Sequence, residues 1–278
     1  MSLLDNIEFL NRGNGTTFID VVNGDAAGTN VNTPVATTGD GSESGMTYNG
    51  ADNYTTMPAL SSYSFLSSGA WTLAVRANFT SETTNDAAIS FGPSGGNSWR
   101  LWLGVTGNDT ARGRVRNGSL TNLDVTGSVT VTSGTEIVLA LVAKDKLNDG
   151  DFSNGTVQLY DSAGTLLGSG DYDLTTLTGF AKHTVGGDVT SSYGGGISGD
   201  VFWSSAWSRA LSVAEIQSLG SSAYPFTATP TLDSADSDND VQAGQTGVII
   251  ATTGVDPAST SQTVTLGGEA LTVTGWDV

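Results

Sequence analysis

Apolar residues recur at every second position through much of the chain. In WTLAVRANF (71–79), Trp71, Leu73, Val75, Ala77 and Phe79 share one face and Thr72, Arg76 and Asn78 the other, which predicts a half-buried strand. The same period runs through SWRLWLGV (98–105), with Trp99, Leu101, Leu103 and Val105 opposite Arg100, Trp102 and Gly104. EIVLALVA (136–143), TVQLYD (156–161) and VFWSSAW (201–207) read as three further strands. IEFLNRGNGTTFID (7–20) reads as a strand, a glycine-rich turn and a second strand. Residues 46–57 read as a type I′ hairpin about Asn49-Gly50, a dipeptide that tolerates positive φ at both turn positions. Residues 23–45 carry almost no large apolar side chain and read as loop, and KDKLNDGDFSNG (144–155) as an exposed hairpin connection. AKHTVGG (181–187) reads as a strand running into a glycine turn, which puts His183 at a surface or strand-end position.

The whole gives about a dozen strands and one helix. That helix is SVAEIQSL (212–219), where Ser212 and Glu215 have the spacing of a capping box. After Phe226 the pattern changes. A proline-bearing linker and an aspartate cluster lead into a new β pattern at Val248–Ile250, and residues 263–276 read as a hairpin about Gly267-Gly268. Two domains are therefore expected, 1–226 and 227–278. The second holds about half of the roughly 100 residues that an immunoglobulin-like sandwich needs.

Composition agrees with an all-β protein. Of 278 residues, 37 are Gly, and Thr and Ser are even more and nearly as numerous, a mixture that favours strands and turns over long helices. Lys and Arg number 10 against 28 acidic residues, a net charge of −18. So acidic a chain cannot supply the cations that nucleic-acid binding requires. No apolar run approaches the roughly 18 residues of a membrane span, and MSLLDNIEFLNRGNG has neither the basic nor the apolar region of a signal peptide. Neither nucleic acid nor membrane is expected as a partner, and no signal peptide or anchor is expected. With no Cys, disulfides, thiolate metal sites and Cys nucleophiles are all absent.

Several strings carry a family resemblance. They are Gly13-Asn14-Gly15-Thr16-Thr17 followed by Asp20, Tyr48-Asn49-Gly50-Ala51-Asp52-Asn53-Tyr54, and Trp71-Thr72-Leu73. The most specific is Trp207-Ser208-Arg209-Ala210-Leu211-Ser212 with Glu215, Ile216 and Leu219. Residues 5–226 thereby resemble the laminin-G-like group of concanavalin A-like lectin and glucanase jelly rolls. The resemblance implies a two-sheet jelly-roll sandwich, with Trp71, Leu73, Val75 and Phe79 in the intersheet core. Residues 229–276 resemble part of an immunoglobulin-like (IPT or filamin-type) domain, a spacer often strung after such jelly rolls in bacteriophage and bacterial surface proteins.

Candidate chemistry is sparse. Glycosidases need two carboxylates at a set separation. The E-x-D-x-x-E string of the family's glucanases is missing among Glu8, Glu43, Glu82, Glu136, Glu215 and Glu269, so no catalytic residue is proposed. Calcium is the metal the resemblance implies, with Asp145, Asp149 and Asp151 as candidate ligands and Asp233, Asp236, Asp238 and Asp240 as a second cluster. Aspartates so spaced also cap turns, which is their expected role, so no cofactor beyond calcium is considered. For carbohydrate, Trp102, Tyr193 and Trp203 are the candidate exposed aromatics; their competing role is to cover a sheet, the helix or a neighbouring subunit. Trp203, Trp207 and Trp276 are candidate interface residues, since the C-terminal strands are too few to close a sandwich by themselves, and self-association, as a trimer, is expected.

An adhesion-type fold without Cys or an export signal is expected in a bacteriophage virion protein, a non-enzymatic capsid decoration, fibre or tail surface protein. Its partners would be other virion proteins and cell-surface glycans. The alternative is an extracellular bacterial carbohydrate-binding or adhesion module.

Overall fold

The computed structural model describes residues 3–40, 43–80, 86–93, 101–106, 110–116, 122–187, 196–221, 225–226, 261–266 and 269–274. The chain divides into two units, Met1–Phe226 and Thr227–Val278.

The first unit is an all-β jelly-roll sandwich of two antiparallel sheets. In the ten-stranded sheet the order is Leu166–Tyr172, Gly155–Asp161, Glu136–Asp145, Trp71–Phe79, Ser198–Trp207, Ile7–Gly13, Phe18–Asp20 and Ala26–Ala27. Ser44–Asn49 also pairs with Ser198–Trp207, and Val35–Thr38 pairs with Ser44–Asn49. In the seven-stranded sheet the order is Asn122–Thr130, Thr110–Arg116, Leu101–Val105, Asp86–Gly92, Lys182–Val185, Tyr54–Thr56 and Thr29–Val31.

Trp71, Leu73, Val75, Ala77 and Phe79 all lie in the intersheet core, as their alternation predicts, and face Leu101, Leu103 and Val105 of the other sheet's core set. Gly113 lets the sheets approach there, because a Cβ at that position would collide with the Leu141 side chain. A second apolar layer lies on the other side of the ten-stranded sheet. There the helix Val213–Gly220 lays Ile216 and Leu219 beside Trp203, Trp207, Leu10, Tyr160 and Phe226.

The strings behind the family resemblance are fasteners. Ser212 and Glu215 form the expected capping box, and Arg209 Nη1 binds Glu215 Oε1 at 2.8 Å. Arg209 Nε also donates to the Asp5 carbonyl at 2.9 Å, and Trp207 Nε1 to the Leu3 carbonyl at 2.6 Å. Thr72 Oγ1 donates to the Arg209 carbonyl and accepts from Leu211 N, both at 2.9 Å. At the first turn, Asn14 Oδ1 accepts from the amides of Thr16 and Thr17, and Gly15 adopts φ +85°. Buried Asp20 accepts through Oδ1 from the amides of Leu10, Val22 and Asn23.

Two local expectations are corrected. The strands flanking Asn49-Gly50 do not form a hairpin: Ser44–Asn49 joins the ten-stranded sheet and Tyr54–Thr56 the seven-stranded one. Asn49 Oδ1 instead accepts from the amides of Ala51, Asp52 and Asn53, while the Gly50 amide donates to the Ile197 carbonyl, so this turn carries the chain between sheets. Residues 23–45 are not all loop, since Ala26–Ala27, Thr29–Val31 and Val35–Thr38 pair at sheet edges, where few side chains need burying. A one-turn helix, Phe65–Ser68, joins the expected helix. In the second unit Ser261–Leu266 and Glu269–Thr274 pair antiparallel, with Leu266 opposite Glu269. The β pattern at 248–250 lies outside the described residues.

Candidate functional site

Two surfaces of the first unit gather polar chemistry. One is built from SSYSFLSS (61–68), with five serines in eight residues. Ser62 Oγ accepts from the Ser64 amide at 3.0 Å and donates to Ser64 Oγ at 2.9 Å, and this turn starts the helix Phe65–Ser68. Beside it opens a cleft of about 520 Å³ walled by Ser61, Ser62, Ser64, Ser67 and Thr178, and also lined by half-buried Phe180 and buried Tyr63. On the other side of the same serines is a second cleft of about 370 Å³ that also meets Glu8, Ser68 and Ser208. The serine run raised no expectation in the sequence, because it has neither period nor motif; its composition was the only signal.

Below the first cleft, His183 is fully buried, stacked at 4.6 Å on Phe9 and 5.5 Å on Phe91, with Tyr63 Oη 3.0 Å from its Nδ1. Burial lowers its pKa to about 3, so the ring is neutral at physiological pH. Burial likewise raises the Tyr63 phenol to about 12. The surface or strand-end position expected for His183 is thus corrected. Its strand alternates His183 and Val185 toward the core, and the aromatic neighbours close over the ring.

The other surface is the outer face of the seven-stranded sheet. Register aligns Asp124, Arg114, Trp102, Ser90, Thr184, Thr56 and Thr29 as one cross-strand row. Ser90 and Thr184 are buried and donate to the Gly187 carbonyl. Along Thr110–Arg116 the outward positions include Arg112, Arg114 and Arg116. The Arg112 and Arg114 guanidinium carbons lie 5.5 and 5.8 Å from the Trp102 ring centroid. Asp124 ties them together, receiving Arg112 Nη2 at 2.5 Å, Arg114 Nη2 at 2.7 Å and Arg114 Nε. Burial pushes the Asp124 carboxyl up, but its hydrogen bonds and charge contacts with the two arginines hold it below its ordinary value.

Trp102 does face away from the intersheet core, but it is only 3% exposed, so it is not an open stacking platform. The long arginine side chains from the neighbouring strand cover it. Trp203 is completely buried, meeting Phe226 edge-on at 5.0 Å, and Trp207 stacks with Phe226 at 6.2 Å. As an exposed platform and as open interface residues, Trp203 and Trp207 are therefore corrected: the chain's own helix and Phe226 cover them. Tyr193, Trp276 and the aspartates at 233–240 lie outside the described residues.

The loop aspartates do not assemble a calcium site. Asp145 accepts from the amides of Leu147 and Gly150, Asp149 from Asp151 N, and Asp151 from Ser153 N and Oγ. Each carboxylate closes its own turn, and among the described residues no three acidic or histidine side chains converge on a metal position. Glu43 and Glu136, unremarkable in sequence, are brought together on Arg76, which contacts both, with Nε 2.9 Å from Glu43 Oε1 and 2.8 Å from Glu136 Oε2. Their side chains are 5% and 9% exposed, which leaves the pair no open face for a substrate.

No protein-family model and no curated protein matches the sequence. Solved structures with the same sandwich do. Domain 4 of AbnA, a GH43 extracellular arabinanase from Geobacillus stearothermophilus solved with arabinotriose, is 18% identical at a TM-score of 0.57, over 77% of this chain and 98% of that domain. The Trypanosoma rangeli sialidase in complex with sialic acid is 18% identical at 0.55, over 77% of this chain and 32% of the sialidase. The binding domain of botulinum neurotoxin DC in complex with SialylT is 10% identical at 0.56, over 78% of this chain and 51% of that one. The chain thus spans about half of the toxin's binding domain and a third of the sialidase. These likenesses establish the jelly-roll sandwich.

Proposed function

We propose that the chain is a non-catalytic glycan-binding module that attaches a larger assembly to carbohydrate. The observation that carries this reading is the serine-walled cleft. Several hydroxyls from Ser61 to Ser67 and Thr178 stand beside the half-buried ring of Phe180, a combination that suits the hydroxyls and the apolar C–H face of a sugar. The solved neighbours add support, since their sandwiches belong to proteins captured with arabinotriose, sialic acid and SialylT. A non-catalytic role is consistent with a neutral His183 enclosed in the core and with Glu43 and Glu136 clamped on Arg76.

The setting we favour is the surface of a bacteriophage particle, as a capsid decoration, fibre or tail protein. The resemblance of residues 229–276 to spacer modules of bacteriophage and bacterial surface proteins fits it, as it fits the second reading. In that setting the chain meets other virion proteins and self-associates, as a trimer. A bacterial surface or secreted adhesion module is the second reading, favoured by the likeness to a domain of an extracellular arabinanase.

The full chain is to be tested on a glycan array and against soluble polysaccharides, with sedimentation giving its oligomeric state. Binding to at least one oligosaccharide class without release of reducing sugar is expected. No binding to any glycan, or hydrolysis abolished by one carboxylate substitution, overturns the reading. Antibody labelling of purified particles separates the two settings, and sedimentation as a monomer removes the trimer.

A further inference from the structure

The serine-walled cleft has a neighbour. The cleft of about 370 Å³ shares Ser61, Ser62 and Ser64 with the one of about 520 Å³, so these exposed serines form a ridge with a hollow on either side. The two hollows differ in charge. Among the described residues that wall them, Glu8 in the second cleft is the one charged side chain, and no Lys or Arg lines either. Strand Ile7–Gly13 puts it there through a bulge: its register slips between Ile7 and Phe9, and Ile7 and Leu10 both pack in the outer apolar layer, which leaves Glu8 to face the cleft. The Glu8 carbonyl accepts from Asn23 Nδ2, while its carboxylate has no hydrogen-bond or ion-pair partner among the described residues. Arg209, next to the lining residue Ser208, is engaged elsewhere, with Nε donating to the Asp5 carbonyl and Nη1 binding Glu215. A free carboxylate only accepts, so it pairs with an ammonium or a hydroxyl and repels a second anion. The net charge of −18 acts in the same sense over longer range.

We propose that the two clefts form one extended site, crossed by an oligosaccharide that lies over the serine ridge, in which Glu8 selects an amine-bearing sugar and rejects acidic ones. The shared hydroxyls of Ser61, Ser62 and Ser64 meet the middle of such a chain, and the units on either side of it fill the two hollows. An ammonium brings three donors to the Glu8 carboxylate in a charge-assisted bond, which a neutral sugar hydroxyl does not match. The proposal rests on the glycan-binding reading and adds to it a chain length and a charge preference.

Calorimetry on the full chain with glucosamine, the chitosan tetramer, the chitin tetramer and tetragalacturonate tests it, at about pH 6, where a free amine is protonated. The chitosan tetramer is expected to bind at least about tenfold more tightly than either glucosamine or the N-acetylated chitin tetramer, and tetragalacturonate most weakly. Added salt should narrow the margin between the two tetramers, and Glu8→Gln should shrink it to about twofold or less. Gly69 lines the second cleft, where a Cβ would meet no atom within 4 Å, and its φ of −174° is extended backbone. Gly69→Tyr should therefore fill that cleft with Tm nearly unchanged and bring the chitosan tetramer down to the level of glucosamine. Any one of four results overturns the extended site and leaves the glycan reading standing: equal affinity for the two tetramers, a preference for tetragalacturonate, a margin indifferent to Glu8→Gln, or a tetramer bound no more tightly than glucosamine. A positive glycan array with none of the four probes bound does the same. Absence of binding to all four together with a blank array removes the glycan reading itself, and the extended site with it.

Discussion

The two sheets turn opposite kinds of outer face to their surroundings. Behind the ten-stranded sheet, Trp203 and Trp207 are sealed by Ile216, Leu219 and Phe226, and the cover is held by Arg209, Thr72 and the capping box. On the seven-stranded sheet, arginines from the next strand lie over Trp102, with Asp124 between them. One tryptophan pair is sealed by apolar side chains, and the other tryptophan is covered by charged ones. The difference shows that an outward-facing aromatic is not by itself a binding platform. What covers it decides its role.

The largest expected effect is on the apolar side. Trp207→Ala should cost about 3–5 kcal/mol in urea denaturation, because the indole fills a closed layer. Trp102→Ala should cost clearly less, since its buried apolar neighbourhood among the described residues is Ala87 alone. Equal costs for the two would break the comparison.

The next effect is a pH dependence. Unfolded His183 takes a proton near its ordinary pKa of 6.5, whereas in the folded core it does so only at about 3. Above pH 6.5 both states are neutral and the group has no effect. As pH falls from there toward 3 the unfolded state binds the extra proton, so stability declines by at most about 1.4 kcal/mol per pH unit. A His183→Phe variant should flatten this part of the profile. An unchanged acid limb in the variant assigns the loss to other groups.

Thr72→Val tests the strap that joins sheet to helix. It removes one donor and one acceptor from the Arg209 carbonyl and the Leu211 amide, and should cost about 1–3 kcal/mol. No loss would mean that the apolar layer holds the helix without it.

Smallest of all is the effect of calcium. With Asp145, Asp149 and Asp151 each engaged in its own turn, adding calcium at about 1 mM should leave Tm where it is. A rise of several degrees, reversed by EDTA, means that the loop rearranges into an oxygen cage.

The fold class, the intersheet face of Trp71–Phe79 and the helix with its Ser212–Glu215 cap are legible along the chain alone. These follow from period and from contacts within a few residues, where local sterics and hydrogen bonding dominate. The rest depends on the packing of distant segments. It sent the strands beside Asn49 into different sheets, enclosed His183 between Phe9 and Phe91, and joined Glu43 to Glu136 through Arg76. It also covered Trp102 with arginines one strand away and turned a plain serine run into the wall of a cleft. Alternation tells which side of a strand a residue occupies. What stands over that side comes from strands and loops distant in sequence, and burial, charge pairing and access are set by those neighbours.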